Sequence, residues 1–193
     1  MLRSLYTSVT AMLTQSRRMD AIANNISNAN THGFKKDLLV SRSFEEMLIV
    51  EQNNADRTVS RPAVGPLSLG THVDEVYTSF EQGSLEETNN SLDIAIKGDG
   101  LFVVNTANGE RYTRGGTFII DEEGYLAAQD ESRVMGRNGP VYVGSDMFTI
   151  DGSGAVYVED RYVDTLRILN VSNPAGLRKQ GNGFYRNVDP NNT

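Results

Sequence analysis

At 193 residues the chain has room for one moderate domain, or for a small domain with extensions. Hydrophobic residues make up 38% and aromatics 8% with no Trp, which allows a modest core, while 18 Gly and only two His point to a turn-rich β protein and away from histidine-based catalysis. The absence of Cys excludes disulfides and thiol chemistry, and a net charge of −7 argues against nucleic-acid binding, which needs a basic face to neutralise phosphates.

Residues 1–30 have the period of a long helix. Leu2, Val9, Ser16 and Ala23 recur every seven residues, and Leu5, Met12, Met19 and Ile26 recur every seven with an offset of three. This three-four spacing is a coiled-coil seam of about four heptads. Thr7-Ser8 and Thr14-Gln15-Ser16 have middling helix propensity. An isolated helix of this length is marginal in water, so without a packing partner it should fray. Nothing later in the chain supplies a second helical seam. The partner is therefore expected in a missing segment or another molecule, and Leu2, Leu5, Val9, Met12, Met19, Ile22 and Ile26 are expected to be buried between subunits. Asn24, Asn25, Asn28 and Gly33 are expected to stop the helix and turn the chain, with Phe34 anchoring the turn. Residues 1–42 hold six basic and two acidic residues, net +4, against −11 for the remainder. These charges read as the solvated edge of an assembling helix rather than a nucleic-acid or membrane arm. The helix's polar face is mostly Ser, Thr and Gln, which disfavours membrane insertion. No apolar h-region follows Met1 and no run is long enough to span a bilayer. A cytoplasmic protein, or one exported with its N-terminus uncut, is expected.

Residues 43–71 combine an apolar patch (Phe44, Met47, Leu48, Ile49, Val50), a polar stretch over 51–57 and the punctuation Arg61-Pro62, Gly65-Pro66 and Gly70. The expectation is an extended connector, possible as a long open hairpin. From residue 72 to 186 the pattern is that of a compact all-β domain of meandering hairpins. Leu92, Ile94 and Ile96 alternate with Asp93, Ala95 and Lys97 as in a half-buried strand. Residues 101–104 and 117–120 are apolar runs of strand length, and Arg161–Leu169 is a further strand. Asn108-Gly109, Glu123-Gly124, Asn138-Gly139 and Ser153-Gly154 space their glycines fifteen residues apart. The Asn-Gly pairs predict hairpin turns with positive φ at both central residues. Phe118-x-Ile120-Asp121-x-x-Gly124-x-Leu126 is echoed thirty residues later by Phe148-x-Ile150-Asp151-x-x-Gly154-x-Val156. This reads as one hairpin unit used twice, with Phe and Ile on one face and Asp and Gly building the turn. Residues 187–193 form a polar tail. The expected fold class is thus mainly β, with an N-terminal heptad-repeat α-helix.

Few motifs suggest chemistry. Gly98-Asp99-Gly100 opens a dinucleotide fingerprint, but Val103 stands where the third Gly belongs and no helix is predicted to follow; a tight turn is the reading preferred. Asp121-Glu122-Glu123-Gly124 and Asp151-Gly152-Ser153-Gly154 could suggest calcium, but lack an EF-hand's ligand spacing. Asp bonding its own turn is the default. His32 and His72 have no Cys near them for zinc, and no nucleophile elbow is present. No catalytic, cofactor or metal residues are assigned, and no enzyme activity is expected.

Three blocks carry a specific likeness. Met1-Leu2-Arg3-Ser4-Leu5-Tyr6 with Met19 through Lys35 (MDAIANNISNANTHGFK) resembles the N-terminal signature of bacterial flagellar axial proteins, the rod and hook subunits. Gln82-Gly83-Ser84-Leu85, Thr88 through Phe102 (TNNSLDIAIKGDGLF), and Tyr112-Thr113-Arg114-Gly115-Gly116-Thr117-Phe118 agree in the same order. The likeness covers most of residues 1–170 and is nearest to the basal-body rod proteins, of distal type or a close relative. It implies a self-polymerising structural subunit. Such subunits form a helical tube that transmits motor torque, contact other rod and hook subunits, and leave through the flagellar export apparatus without a cleaved signal. In the family, N- and C-terminal helices form an inner coiled-coil core and a β domain faces outward. This chain departs in lacking the C-terminal heptad helix after Val188, which implies truncation of gene or fragment, and in having Leu101 where an aromatic is usual. A β-rich binding module or wall hydrolase on an oligomerising helix is the alternative reading, and a hook or hook-cap role is a variant within the family.

Overall fold

The computed structural model describes residues 2–50, 63–171 and 173–188. The expectations for Met1, for the polar stretch and Arg61-Pro62 within 51–62, and for the tail after Val188 lie outside the described residues. The fold is mainly β with one N-terminal α-helix, as the patterning predicted. The chain divides into two units: residues 1–28 with 36–79, and residues 29–35 with 80–193. This differs from the sequence-based boundaries at 42 and 72, because the expected connector is itself hydrogen-bonded structure that groups with the helix.

In the first unit α1 (Leu2–Ser27) is a continuous 26-residue helix. It is followed by a two-stranded antiparallel ribbon. β1 (Asp37–Ser43) pairs with β4 (Thr71–Thr78), and β2 (Met47–Val50) with β3 (Ala63–Leu67), joined by the bond from Phe44 N–H to the Gly70 carbonyl at 3.0 Å. Register shifts at Val40/Ser41 and Ile49/Val50 bend it. The helix packs on β1 and β4. A two-stranded ribbon is marginal by itself, and this contact gives it a third element. The helix thus has a packing partner within the chain, so the condition on which fraying was expected does not hold, and the face used is described below. Among the described residues no helix is long and apolar enough to cross a membrane.

The second unit holds β5 (Leu101–Thr106), β6 (Gly109–Thr113), β7 (Ile119–Ile120), β8 (Leu126–Ala127), β9 (Arg133–Val134), β10 (Phe148–Ile150), β11 (Ala155–Val158), β12 (Arg161–Thr165), β13 (Ile168–Leu169), β14 (Leu177–Lys179) and β15 (Phe184–Asn187). One sheet runs β14-β15-β6-β5-β9-β8-β7, with β13 also on β5; a smaller one runs β10-β11-β12. β5 is buried along four consecutive residues, as a central strand requires. Phe102, Val104, Phe118, Leu126, Val134, Val141, Val143, Phe148 and Val156 form the main core, and Leu101, Leu177 and Tyr185 a second cluster. Leu101 therefore fills a buried apolar position in this second cluster.

Two sequence expectations are refined. Leu92, Ile94 and Ile96 pack on the core, but residues 92–96 form no ladder; the isolated bridge Asp93–Thr117 is flanked by bonds from Ile94 N–H to Gly116 O and Phe118 N–H to Leu92 O. The alternation encoded burial without a continuous strand partner. At Asn108-Gly109, β5 and β6 close with Thr106 opposite Gly109, and positive φ falls on Gly109 (+96°) and not on Asn108. Gly109 thus follows a two-residue turn of Ala107 and Asn108, and the ladder beyond it keeps its register. The thirty-residue echo closes instead over three residues, Asp121 N–H bonding Tyr125 O and Asp151 N–H bonding Ala155 O, with Gly124 at φ +87° and Gly154 at +83° before the returning strand. Phe118 and Phe148 are buried, Ile120 and Ile150 pack beside them, and Leu126 and Val156 are fully enclosed.

Candidate functional site

Leu5, Val9, Met12, Met19, Ile22 and Ile26 all lie on α1 with 47–71% of their surface exposed. At roughly 100° per residue, Leu5, Met12, Met19 and Ile26 form one stripe along the helix, with Val9 and Ile22 on its flanks. The side chain of Leu2 lies outside the described residues. A stripe of this length in contact with water is a cost that a monomer bears only if something else covers it: full burial of each Leu, Ile or Met is worth roughly 1.5–3 kcal/mol.

The ribbon does not cover it, because α1 docks through its opposite side. Thr7, Thr14, Ala21 and Asn28 also recur every seven residues, at the heptad position farthest from the seam. Thr7 Oγ1 donates to the Leu69 carbonyl at 3.2 Å, and Thr14, buried, reaches Thr71 Oγ1 at 3.3 Å. Asn25 supplies the most specific contact. Its Nδ2 donates to the Asp37 carbonyl at 2.9 Å, and its Oδ1 accepts the Asp37 N–H at 3.0 Å. One carboxamide thus meets both backbone groups of one residue on the outer edge of β1, as a neighbouring strand would. Gly70 comes close enough to Thr10 that a Cβ would collide with its hydroxyl.

The expected stop residues take distinct places. Asn24 and Asn25 lie inside the last turns of α1. The Asn24 carbonyl accepts both the Asn28 N–H (3.1 Å) and the Asn28 side-chain amide (2.8 Å), which closes the helix. Gly33, at φ +71°, sits against the Arg114 carbonyl where a Cβ would clash. Phe34 lies under the Lys179 ammonium, 4.2 Å from ring centroid to Nζ.

Gly33 and Phe34 belong to the second unit, where the three sequence blocks meet. The Arg114 guanidinium donates to the carbonyls of Gly98, Gly100 and Ile96, and to Gln82 Oε1. Gly98-Asp99-Gly100 is thereby a turn clamped by arginine, not a phosphate loop. Buried Lys35 donates to the carbonyls of Phe80 (3.3 Å) and Glu81 (2.7 Å), and Lys179 to the Lys35 carbonyl (2.8 Å). Burial, and then the Arg114 charge, hold the Lys35 ammonium below its usual pKa, against the pull of Asp99. Burial likewise lowers Arg114, with Asp99 opposing. Sequence inspection assigned no role to Arg114, Lys35, Thr14 or the Asn25 amide pair; the seven-residue recurrence of Thr7, Thr14, Ala21 and Asn28 was the available signal.

The carboxylates considered for calcium are engaged in their own turns. Asp121 Oδ1 accepts from Glu123 N–H and Tyr125 N–H, and its Oδ2 from Arg133. Asp151 Oδ1 accepts from Ser153 N–H, Ser153 Oγ and Ala155 N–H. Among the described residues no group of three or more His, Asp or Glu is placed to hold a metal ion.

The family profile described as flagella basal body rod protein matches residues 5–35, and that of the flagellar hook protein FlgE/F/G D1 domain matches 95–158. The flagellar basal-body rod protein FlgG of Bacillus subtilis is 32% identical over 96% of this chain and 74% of its own length. The rod protein FlgF of Caulobacter vibrioides is 32% identical over 96% of this chain and 73% of its own. The flagellar hook protein FlgE of Borreliella burgdorferi is 34% identical over 65% of this chain and 28% of its own.

Proposed function

We infer the role of this chain from the family to which it belongs, the flagellar basal-body rod proteins: it is a structural subunit of the flagellar basal-body rod. Its place is the basal body, its assembly partners are other rod and hook subunits, and its family is structural rather than enzymatic. Within that role the exposed stripe on α1 is the self-assembly surface. Leu5, Val9, Met12, Met19, Ile22 and Ile26, with Leu2 at the helix start, are covered by helices of neighbouring subunits in a coiled-coil arrangement. Asn24, Asn25, Asn28, Gly33 and Phe34 close the helix and lead the chain onward. Heterologous contacts that do not close into a ring build a helical tube able to carry motor torque. Delivery is through the flagellar export apparatus, with the N-terminus uncut.

The observation that supports this reading is the exposure of the six stripe side chains, with Tyr6 and Leu13 exposed on the same helix, while a separate polar face is already docked. Met12→Asp and Leu5→Asp test it. Each is expected to abolish sedimenting polymer and motility, with the urea transition of the β-rich unit unchanged. Polymer formation at the wild-type rate by both variants would refute the assignment of the stripe.

A further inference from the structure

The helix and its ribbon present a choice that hydrophobicity alone would settle the other way. β1 and β4 carry exposed Leu38, Val40, Val76 and Tyr77. Leu38, Tyr77 and Val40 share one face of the ribbon and Val76 lies on the other, so a helix could cover only one of these faces; rolling α1 by about half a turn would still turn its apolar stripe toward the ribbon and out of water. In the structure the stripe faces outward, and the helix meets the strands through Thr7, Thr14 and Asn25. The observed rotation is therefore not the one that burial of the stripe would select, and directional hydrogen bonds to the ribbon hold it.

We propose that Asn25 is a positioning residue for assembly: its paired bonds to the Asp37 N–H and C=O fix the rotation of α1 and keep the apolar stripe turned away from the ribbon. This rests on the stripe being the assembly surface. Three features give Asn25 this role ahead of the threonines. It makes two bonds to one residue in a planar bracket, where each hydroxyl pivots about a single bond. It anchors a place already fixed on its other side, since Asp37 pairs with Thr78, whose Oγ1 donates to Asp37 Oδ1 at 2.7 Å, and Ser79 N–H bonds the Lys36 carbonyl at 2.9 Å. It sits near the C-terminal end of α1, with Thr14 eleven residues earlier, so together they leave the helix no free rotation.

The test uses the full chain, with Asn25→Ala, Asn25→Asp and Thr14→Val. Far-UV circular dichroism reports helix, and methionine-methyl NMR with a soluble paramagnetic agent reports exposure of Met12 and Met19. For Asn25→Ala the expected result is retained helix, Met12 and Met19 signals shielded from the agent, and polymerisation slowed by about tenfold or more, because only the outward-facing fraction is competent. Asn25→Asp keeps the acceptor for the Asp37 N–H and loses the donor; it should fall between Asn25→Ala and wild type. Thr14→Val should shield the methionines less than Asn25→Ala. Unchanged methionine exposure and wild-type polymerisation in Asn25→Ala would overturn the proposal, and so would loss of helix, which would make the bracket a fastening rather than a guide. Met12→Asp is run in parallel. If it polymerises normally, the stripe reading itself has failed; if it does not and Asn25→Ala does, only the role of Asn25 has.

Discussion

The two units of this chain treat their apolar residues in opposite ways. The β-rich unit encloses Phe102, Phe118, Leu126, Val134 and Val156 at 2% exposure or less and closes its turns with its own Asp, Asn and Gly residues. The helix-ribbon unit leaves Leu5, Met12, Met19 and Ile26 more than 60% exposed, and uses hydroxyls and an amide for its internal contact. Burial of apolar surface stabilises; hydrogen bonds exchanged with water add little net but set geometry. The β-rich unit is thus built around its own enclosed core, and the helix-ribbon unit holds its helix by polar contacts with the apolar stripe left exposed.

The sharpest way to break that comparison is to truncate one residue of each kind. Phe102→Ala removes a ring that packs edge-on to Phe118 at 5.2 Å, and should cost about 3–5 kcal/mol. Met12→Ala, on the open stripe, should change the monomer's stability by less than about 0.5 kcal/mol while weakening assembly. Urea denaturation of both, at concentrations below polymer formation, checks the contrast. Equal costs would show the stripe to be covered within the monomer.

A smaller effect is expected at the arginine clamp. Arg114→Ala leaves the carbonyls of Ile96, Gly98 and Gly100 without the guanidinium, and should cost about 2–3 kcal/mol. Arg114→Lys should recover less than half, because one ammonium cannot reach acceptors arranged for a planar fork. Thermal unfolding of the pair against wild type decides this; full recovery by lysine would reduce the clamp to a charge effect.

How much of this could be read beforehand follows from what each signal encodes. The seam was legible because its period is local: every residue that defines it lies on one helix. The docking face has the same period, but Thr7, Thr14, Ala21 and Asn28 look like any solvated edge until a strand is set against them. The residues that Thr7 and Thr14 meet, Leu69 and Thr71, lie 62 and 57 positions away. The pairing of Asn25 with Asp37 spans only twelve residues, yet Asn in an Asn-rich stretch suggested a helix stop, and that expectation concealed its second use. Within the β-rich unit, the echo of Phe118 and Phe148 was visible because the repeat is in the sequence. Asn138 was not: it resembled a turn residue, but its N–H and side-chain amide satisfy buried Asp164, each at 3.0 Å. No spacing rule links positions 138 and 164.

The smallest effect concerns the two copies of the hairpin unit, and it separates a shared turn from its context. The Ser153 hydroxyl, then the Ala155 and Ser153 N–H groups, hold the Asp151 carboxyl below its usual pKa, against burial. At Asp121 burial pushes upward, but the Tyr125 N–H and the Arg133 guanidinium outweigh it and the net shift is also downward. A carboxyl with a lower pKa when folded binds protons more readily when unfolded, so each contributes stability above the ordinary value of 3.8 that is lost as pH falls through the folded value. Asp151→Asn and Asp121→Asn should each flatten the acid limb of a stability-pH curve below pH 3.8 and leave its neutral part nearly level. Salt should tell the copies apart. Asp121 has a guanidinium partner at 2.8 Å, and Arg133 also reaches exposed Glu123, so added salt should weaken the Asp121 contribution by screening. Asp151, held by N–H and O–H donors within its own turn, should respond little. Equal salt sensitivity of the two variants would mean that the turn and its arginine do not act separately, and that the repeat is electrostatic as well as geometric.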